Sequence, residues 1–273
     1  NEYKHALTTL PQTYKSLTNN RPIQPLNGRV VEFGMHVEGW TYDVTEPGPY
    51  KGPADWAQVA GSSCGSTVRQ TPINVVTSNT TFPGNLPTLD AAFTAVGACD
   101  TYLGKVNEHT WKADNICSGG GNFSMVFEGV TYKMLQFNFH SPSEHTIDGE
   151  FSDVEAHFVY AKETSTGVDA TDLAVVGIMM EATSSMDNAF LEKFVWDGKT
   201  HTMANAFNPY TEFFPTVHDH PSSYFHYDGS LTTPPCSEIV KWIVMTNPVQ
   251  ISQKQVNEYK HALTTLPQTY KSL

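Results

Sequence analysis

No stretch of this chain approaches the roughly 18 consecutive apolar residues that a membrane-spanning helix needs, so no helical membrane span is expected. Positive charge is scarce. The 16 Lys and Arg stand against 28 Asp and Glu, for a formal net charge of -12, which argues against nucleic acid or an anionic bilayer as partner. Cysteine is also scarce: Cys64, Cys99, Cys117 and Cys236 include no CxxC pair, which argues against a zinc knuckle and leaves disulfides as the expected use. Charged residues make up only 16% of the chain, while 39% are hydrophobic and 12% aromatic, a composition that fits a globular domain with a sizeable core. Two N-x-[ST] sequons, at Asn79 and Asn122, lie in Gly/Ser/Thr-rich stretches that read as turns. With an even number of cysteines they point to an extracellular or secretory setting.

What the sequence does have is a repeat. Asn1 to Leu17 recurs unchanged as Asn257 to Leu273, a period of 256 residues. A repeat governs where module boundaries lie, and this one places the numbering out of phase with a module. Two arrangements account for it. In a closed permutant the two copies compete for one place in the fold. In a head-to-tail array, residues 1–33 complete one module and 34–273 form the next, which lacks its last strand. The second copy follows a good helix start, Ser252 acting as N-cap with Val256, Tyr259 and Leu263 on one face, whereas the first copy lacks that opening turn. The array is therefore expected, with copies of the same chain as partners and with the segments flanking residue 34 buried against two different modules.

The secondary-structure signal is mostly strand. Runs at 134–140, 156–161, 173–180 and 240–246 are short, rich in β-branched or aromatic residues, and bounded by Gly, Pro, Asp or Ser. Helical signal is confined to part of 187–195 and to 252–263. The expected fold is mostly β with short peripheral helices around a single large, twisted, mainly antiparallel sheet.

Candidate chemistry concentrates between 134 and 160. Residues two apart on a strand share a face, so Asn138 and His140 project together while Phe137 and Phe139 face the other way. An antiparallel return brings His157 beside them, with Glu155 one pleat away. That is a small metal site on rigid sheet, although most histidines in strands serve structure alone.

These residues carry a resemblance. Gln136-Phe137-Asn138-Phe139-His140, Ser143-Glu144-His145-Thr146 and Glu155-Ala156-His157 resemble the α-class carbonic anhydrases, as do Trp40 and Tyr42 in GWTYD, Trp56, Arg69 to Asn74, and YDGSLTTPPCSE at 227–238. NNRPIQPLNGRVV, at 19–31, resembles that family's C-terminal strand, in keeping with the shifted numbering. The resemblance implies the family fold and several roles. His140 and His157 match two of three zinc ligands. Gln136 and Glu155 match acceptors that orient ligand imidazoles. Thr232 matches the hydroxyl that orients the attacking oxygen, Glu144 the carboxylate that holds Thr232, and His109 the proton shuttle. Val159, Val175, Leu231 and Trp242 match the apolar wall of the carbon dioxide pocket. Cys64 and Cys236 match a disulfide of secreted members, leaving Cys99 and Cys117 as a candidate second bridge.

One position departs from the pattern. The first zinc ligand of the family is matched by Asn138, and a carboxamide is a shorter and weaker zinc donor than imidazole. The expectation is therefore no zinc or weakly bound zinc, with Thr232, Glu144 and His109 vestigial, in a catalytically impaired module that serves as a building block of an extracellular repeat array or filament. The competing expectations are an active, zinc-dependent carbon dioxide hydratase with an altered ligand set, and a storage or ligand-binding protein that uses the cavity.

Overall fold

In β6 (Val130–His140) the burial pattern turns over part-way along the strand, and that turnover positions the site. Tyr132 and Met134 point into the larger hydrophobic core, and so do Phe137 and Phe139. A strict two-residue alternation would carry 132 and 134 on to 136 and 138. The register against the neighbouring strand shifts between Met134 and Gln136, and this bulge re-phases the strand. Phe137 and Phe139 thereby enter the core, while Gln136, Asn138 and His140 take the opposite face.

The computed structural model describes residues 40, 42, 51–81, 93–96, 103–106, 110–114, 122–196, 201–202, 213 and 224–264. His109, Cys99, Cys117 and residues 1–39, including the segments flanking residue 34, lie outside them. Before β6 run β1 (Asn74–Val75), β2 (Phe93–Val96), β3 (Leu103–Val106), β4 (Trp111–Asp114) and β5 (Asn122–Phe127). After it come β7 (Thr146–Ile147), β8 (Glu150–Phe151), β9 (Val154–Thr164), β10 (Gly167–Ser184), β11 (His201–Thr202), β12 (Tyr224–Gly229), β13 (Val240–Met245), β14 (Val249–Ser252) and helix α1 (Gln253–Thr264). Among the described residues they form an 11-stranded sheet whose central path is β11-β3-β4-β6-β9-β10-β13-β12, and a 3-stranded sheet, β1-β7-β8. The large sheet is mixed. Most of its pairs are antiparallel, as expected from the sequence, but β10 runs parallel to both β13 and β14.

β9, the middle of β10 and β13 are buried on both faces, with successive residues alternating between the two. Ala156, Phe158 and Tyr160 of β9, Val176 and Ile178 of β10, and Ile243 of β13 meet the phenylalanine-rich core, whereas Val159, Val175, Trp242 and Val244 form a second cluster on the site face. The 252–263 expectation holds. Ser252 Oγ accepts from the Gln255 N–H at 3.2 Å while Gln255 Oε1 accepts from the Ser252 N–H at 3.3 Å, a reciprocal cap. Val256, Tyr259 and Leu263 then pack into the core, and the Tyr259 hydroxyl donates to the Phe139 carbonyl on the site strand. The 187–195 segment holds only a single 3-10 turn, Leu191–Lys193. Asn79 is exposed at the end of the 3-10 turn Thr77–Asn79, but Asn122 opens β5 paired with Val96, so its sequon sits on a strand and not in the turn the composition indicated.

Cys64 and Cys236 are joined, as the resemblance implied, across a sequence separation of 172 residues. The bridge packs with Trp40, Tyr42, Trp56 and Val59, whose three rings meet edge to face with centroids 5.2 to 5.7 Å apart. Tyr42 carries this cluster to the site, because its hydroxyl donates to Glu144 Oε1 at 3.3 Å.

Candidate metal centre

Strand pairing delivers the side chains that the sequence grouped. Asn138 lies directly opposite His157, and His140 opposite Glu155. The rings of His140 and His157 have centroids 4.6 Å apart. Asn138 is engaged along its own strand at both polar atoms: its Nδ2 donates to Gln136 Oε1 at 3.1 Å, and its Oδ1 meets His140 Nε2 at 2.9 Å. Since the carboxamide oxygen can only accept, Nε2 of His140 carries the proton and Nδ1 keeps the lone pair.

Glu155 anchors the other side. It has no exposed surface, its Oε2 accepts the backbone N–H groups of Glu144 and His145 at 2.8 and 2.9 Å, and its Oε1 accepts His145 Nδ1 at 2.7 Å and His157 Nε2 at 2.8 Å. Burial alone would raise this carboxyl, but attraction and hydrogen bonds from His145 and His157 outweigh it and hold the group well below the usual carboxylate range. Gly177 of β10 makes room for it: a Cβ there would sit 3.1 Å from Glu155 Oε1. Donation from Nε2 leaves His157 Nδ1 as its lone-pair nitrogen too.

Both lone pairs face Glu144. Its Oε1 is 3.5 Å from His140 Nδ1 and its Oε2 is 3.9 Å from His157 Nδ1. Among the described residues, Glu144 Oε2 is a buried oxygen without a hydrogen-bond partner. Burial first, and then the neighbouring Glu155 charge, push the Glu144 carboxyl up to about 8, against the lowering influence of hydrogen bonds from Thr232 and Tyr42. His140 moves the opposite way: burial and then the nearby His157 hold it well below the ordinary histidine value.

These shifts set a pH dependence for the metal-free protein. From about pH 6.5, where an unfolded histidine loses its proton, up to 8, native Glu144 still binds a proton that the unfolded chain has released, so stability falls as pH rises. At about 1.4 kcal/mol per pH unit the fall is roughly 2 kcal/mol over that window. Below pH 6.5 the neutral His140 contributes the opposite slope, since the unfolded histidine takes up a proton that the native one refuses. Urea titrations in chelator at pH 6.5 and 8 are expected to show this loss in the wild type and not in Glu144→Gln; a flat wild-type profile contradicts the assignment.

The structure also places the other expected residues that lie among the described ones. Val159, Val175 and Trp242 are buried in one cluster with Leu231 packed against it, lining the same face as the histidines. Thr232 reaches Glu144. Sequence reading missed four contributors. His145 Nε2 meets the Tyr227 hydroxyl at 2.6 Å, and that hydroxyl donates to Thr71 Oγ1 at 3.1 Å, a chain that fixes His145 behind Glu155. The motifs SEHT and YDGS contained both residues, but spacing alone did not join them. Lys112 lies opposite Asn138, and Asp114 opposite Gln136. The two form an ion pair at 3.1 Å with side chains only 11% and 8% exposed, and no motif marked it.

The family model for eukaryotic-type carbonic anhydrase matches residues 51–272. The chain belongs to that family. It is 33% identical over 278 residues to a carbonic anhydrase of Dunaliella salina, covering 89% of this chain but 44% of that protein. Among solved structures, the α-carbonic anhydrase of Photobacterium profundum superposes with a TM-score of 0.64 at 29% identity, covering 86% of this chain and 95% of that one. A structure of dioscorin complexed with ascorbate superposes with a TM-score of 0.66 at 25% identity, covering 82% and 88%.

Carbonic anhydrase is itself the standard example of a zinc site built from three histidines, in which bound water has a pKa near 7. Here two imidazole lone pairs and an unpartnered carboxylate oxygen converge, with His140, Glu144 and His157 donor atoms all within 4.8 Å of one another. Nitrogen and oxygen donors of this kind fit zinc. The described groups therefore accommodate the family's ion, through a donor set other than three imidazoles.

Proposed function

We propose that this chain is a carbonic anhydrase module with impaired carbon dioxide hydration, used as a building block in an extracellular, multi-module assembly of its own kind. The observation that carries the impairment is the state of Asn138. With Nδ2 given to Gln136 and one lone pair of Oδ1 to His140, the carboxamide can offer an ion only the second lone pair of an oxygen already hydrogen-bonded, a weaker donor than an imidazole nitrogen. A third imidazole would have offered such a nitrogen. Zinc, when bound, polarises water for attack on carbon dioxide. The protein's own groups would then bind the apolar substrate against Val159, Val175 and Trp242 and orient the attacking oxygen through Thr232, which Glu144 holds in the ion-free protein.

Support for the assembly comes from the 17-residue repeat, which the head-to-tail arrangement explains without displacing either copy. The Cys64–Cys236 bridge supports an oxidising compartment. Elemental analysis after exhaustive dialysis tests the metal part of this reading. Zinc well below one atom per chain is expected, and one zinc per chain overturns it.

A second reading, an active hydratase, is favoured by one observation: the Glu144 to Thr232 hydrogen bond and the apolar wall are both in place. Each also has a structural reason to persist, since buried polar groups need partners and cores need filling.

A further inference from the structure

Among the described residues there are two histidine and carboxylate clusters, His145–Glu155–His157 and His140–Glu144–His157. The first is saturated. Glu155 accepts four hydrogen bonds, and both ring nitrogens of His145 are matched, one by Glu155 and one by Tyr227. The second is open. Glu144 Oε2 is buried without a hydrogen-bond partner among the described residues, in a side chain only 8% exposed, and it faces the unprotonated Nδ1 of His157. Its other oxygen faces the unprotonated Nδ1 of His140.

We propose that His140, His157 and Glu144 form a divalent-cation site in which the Glu144 carboxylate takes the third position that Asn138 does not supply. A tetrahedral ion bonded at about 2.0 to 2.1 Å places its donor atoms roughly 3.3 Å apart. His140 Nδ1 lies 3.5 Å from Glu144 Oε1 and His157 Nδ1 lies 3.9 Å from Oε2, and the three donor atoms are within 4.8 Å of one another, so the carboxylate must turn toward the two rings and close gaps of up to about 1.5 Å. Two imidazoles and one glutamate are a donor set that zinc accepts. Tautomers on both histidines are already set for it: Asn138 Oδ1 holds the proton on Nε2 of His140, and Glu155 holds it on Nε2 of His157. Asn138 and Glu155 thus become the outer partners that orient the ligand rings.

The assignment deepens the proposed function, on which it rests. A glutamate drawn onto the ion gives up Thr232 and Tyr42, so ion binding and the hold on Thr232 compete for one carboxylate. A protein that binds the ion is then still a poor hydratase.

The test is titration with Zn²⁺ alone, followed by calorimetry on the full chain and by ¹⁵N NMR of the histidine rings. Glu144→Gln is expected to lose at least roughly 100-fold in Zn²⁺ affinity, and Asn138→Ala, which removes only an outer partner, about 10-fold. On adding Zn²⁺ to the wild type, Nδ1 of His140 and His157 should become the metallated nitrogens while both Nε2 atoms stay protonated. The NMR result stands whether or not the Glu144 variant folds. Binding by Glu144→Gln within about threefold of wild type, metallation of His140 at Nε2, or no Zn²⁺ binding by the wild type overturns the site. Failure of the proposed function would appear instead as fast carbon dioxide hydration, or as one zinc per chain retained through exhaustive dialysis, neither of which is among these readouts.

Discussion

Asn138→His is expected to bind Zn²⁺ at least roughly 100-fold more tightly than the wild type and to hydrate carbon dioxide far above its rate. Loss of an outer partner alone costs a metal site about 10 to 100-fold, and this substitution adds a direct ligand. The surroundings are prepared for it. Gln136 Oε1 already accepts a hydrogen bond from position 138, so it can accept the N–H of an imidazole there. His157 lies opposite on β9 with its Nδ1 free. With three imidazoles available, Glu144 stays with Thr232 and is no longer drawn toward the ion. The larger ring must share space with Lys112, the cross-strand neighbour on β4, whose flexible stem can give way. Stopped-flow hydration and Zn²⁺ competition assays on the purified variant check this. A variant that folds but gains neither affinity nor activity would contradict the role given to Asn138.

The second large effect concerns stability. Replacing Cys64 and Cys236 together by serine is expected to cost about 5 kcal/mol in the chain-entropy account, because the bridge closes a loop of 172 residues. The loss should reach the site, since the bridged cysteines pack with Trp40, Tyr42 and Trp56, and Tyr42 bonds Glu144. Denaturant titration of both proteins at the same pH, 6.5, holds the Glu144 and His140 contributions constant and isolates the effect. A loss below about 1 kcal/mol would contradict it.

The sheet was legible because its strands follow a two-residue alternation that needs no long-range knowledge. Phe137 and Phe139 against Asn138 and His140 could be assigned to opposite faces from the sequence, and the structure places them so. The bulge at Met134 to Gln136 could not, since both registers of that segment bury apolar residues. Helix α1 announced itself through Ser252 and the spacing of Val256, Tyr259 and Leu263, and the structure adds Gln255, which completes a reciprocal cap with Ser252. The single turn at Leu191–Lys193 shows the reverse, where aromatic packing of Phe190 and Phe194 into the core overrides a weak helical pattern.

At the site, histidines and carboxylates stood out by type, and strand spacing brought His140, His157 and Glu155 together. Lys112, Asp114 and Tyr227 were hidden for a physical reason. Their importance comes from cross-strand and cross-loop contacts between residues far apart in the chain, and each is an ordinary residue in its local text. The state of Asn138 was hidden too. Its chemistry follows from which neighbours take its two polar atoms, a matter of ångströms and not of motif.

The central claim is that an asparagine with both polar atoms engaged leaves this family member without an efficient catalytic ion. Its most direct test is the initial rate of carbon dioxide hydration by the wild-type chain at saturating Zn²⁺, followed by stopped flow beside Asn138→His. A wild-type rate at the uncatalysed background, with a clear gain in the variant, is the predicted result; a wild-type rate equal to that of Asn138→His would contradict it.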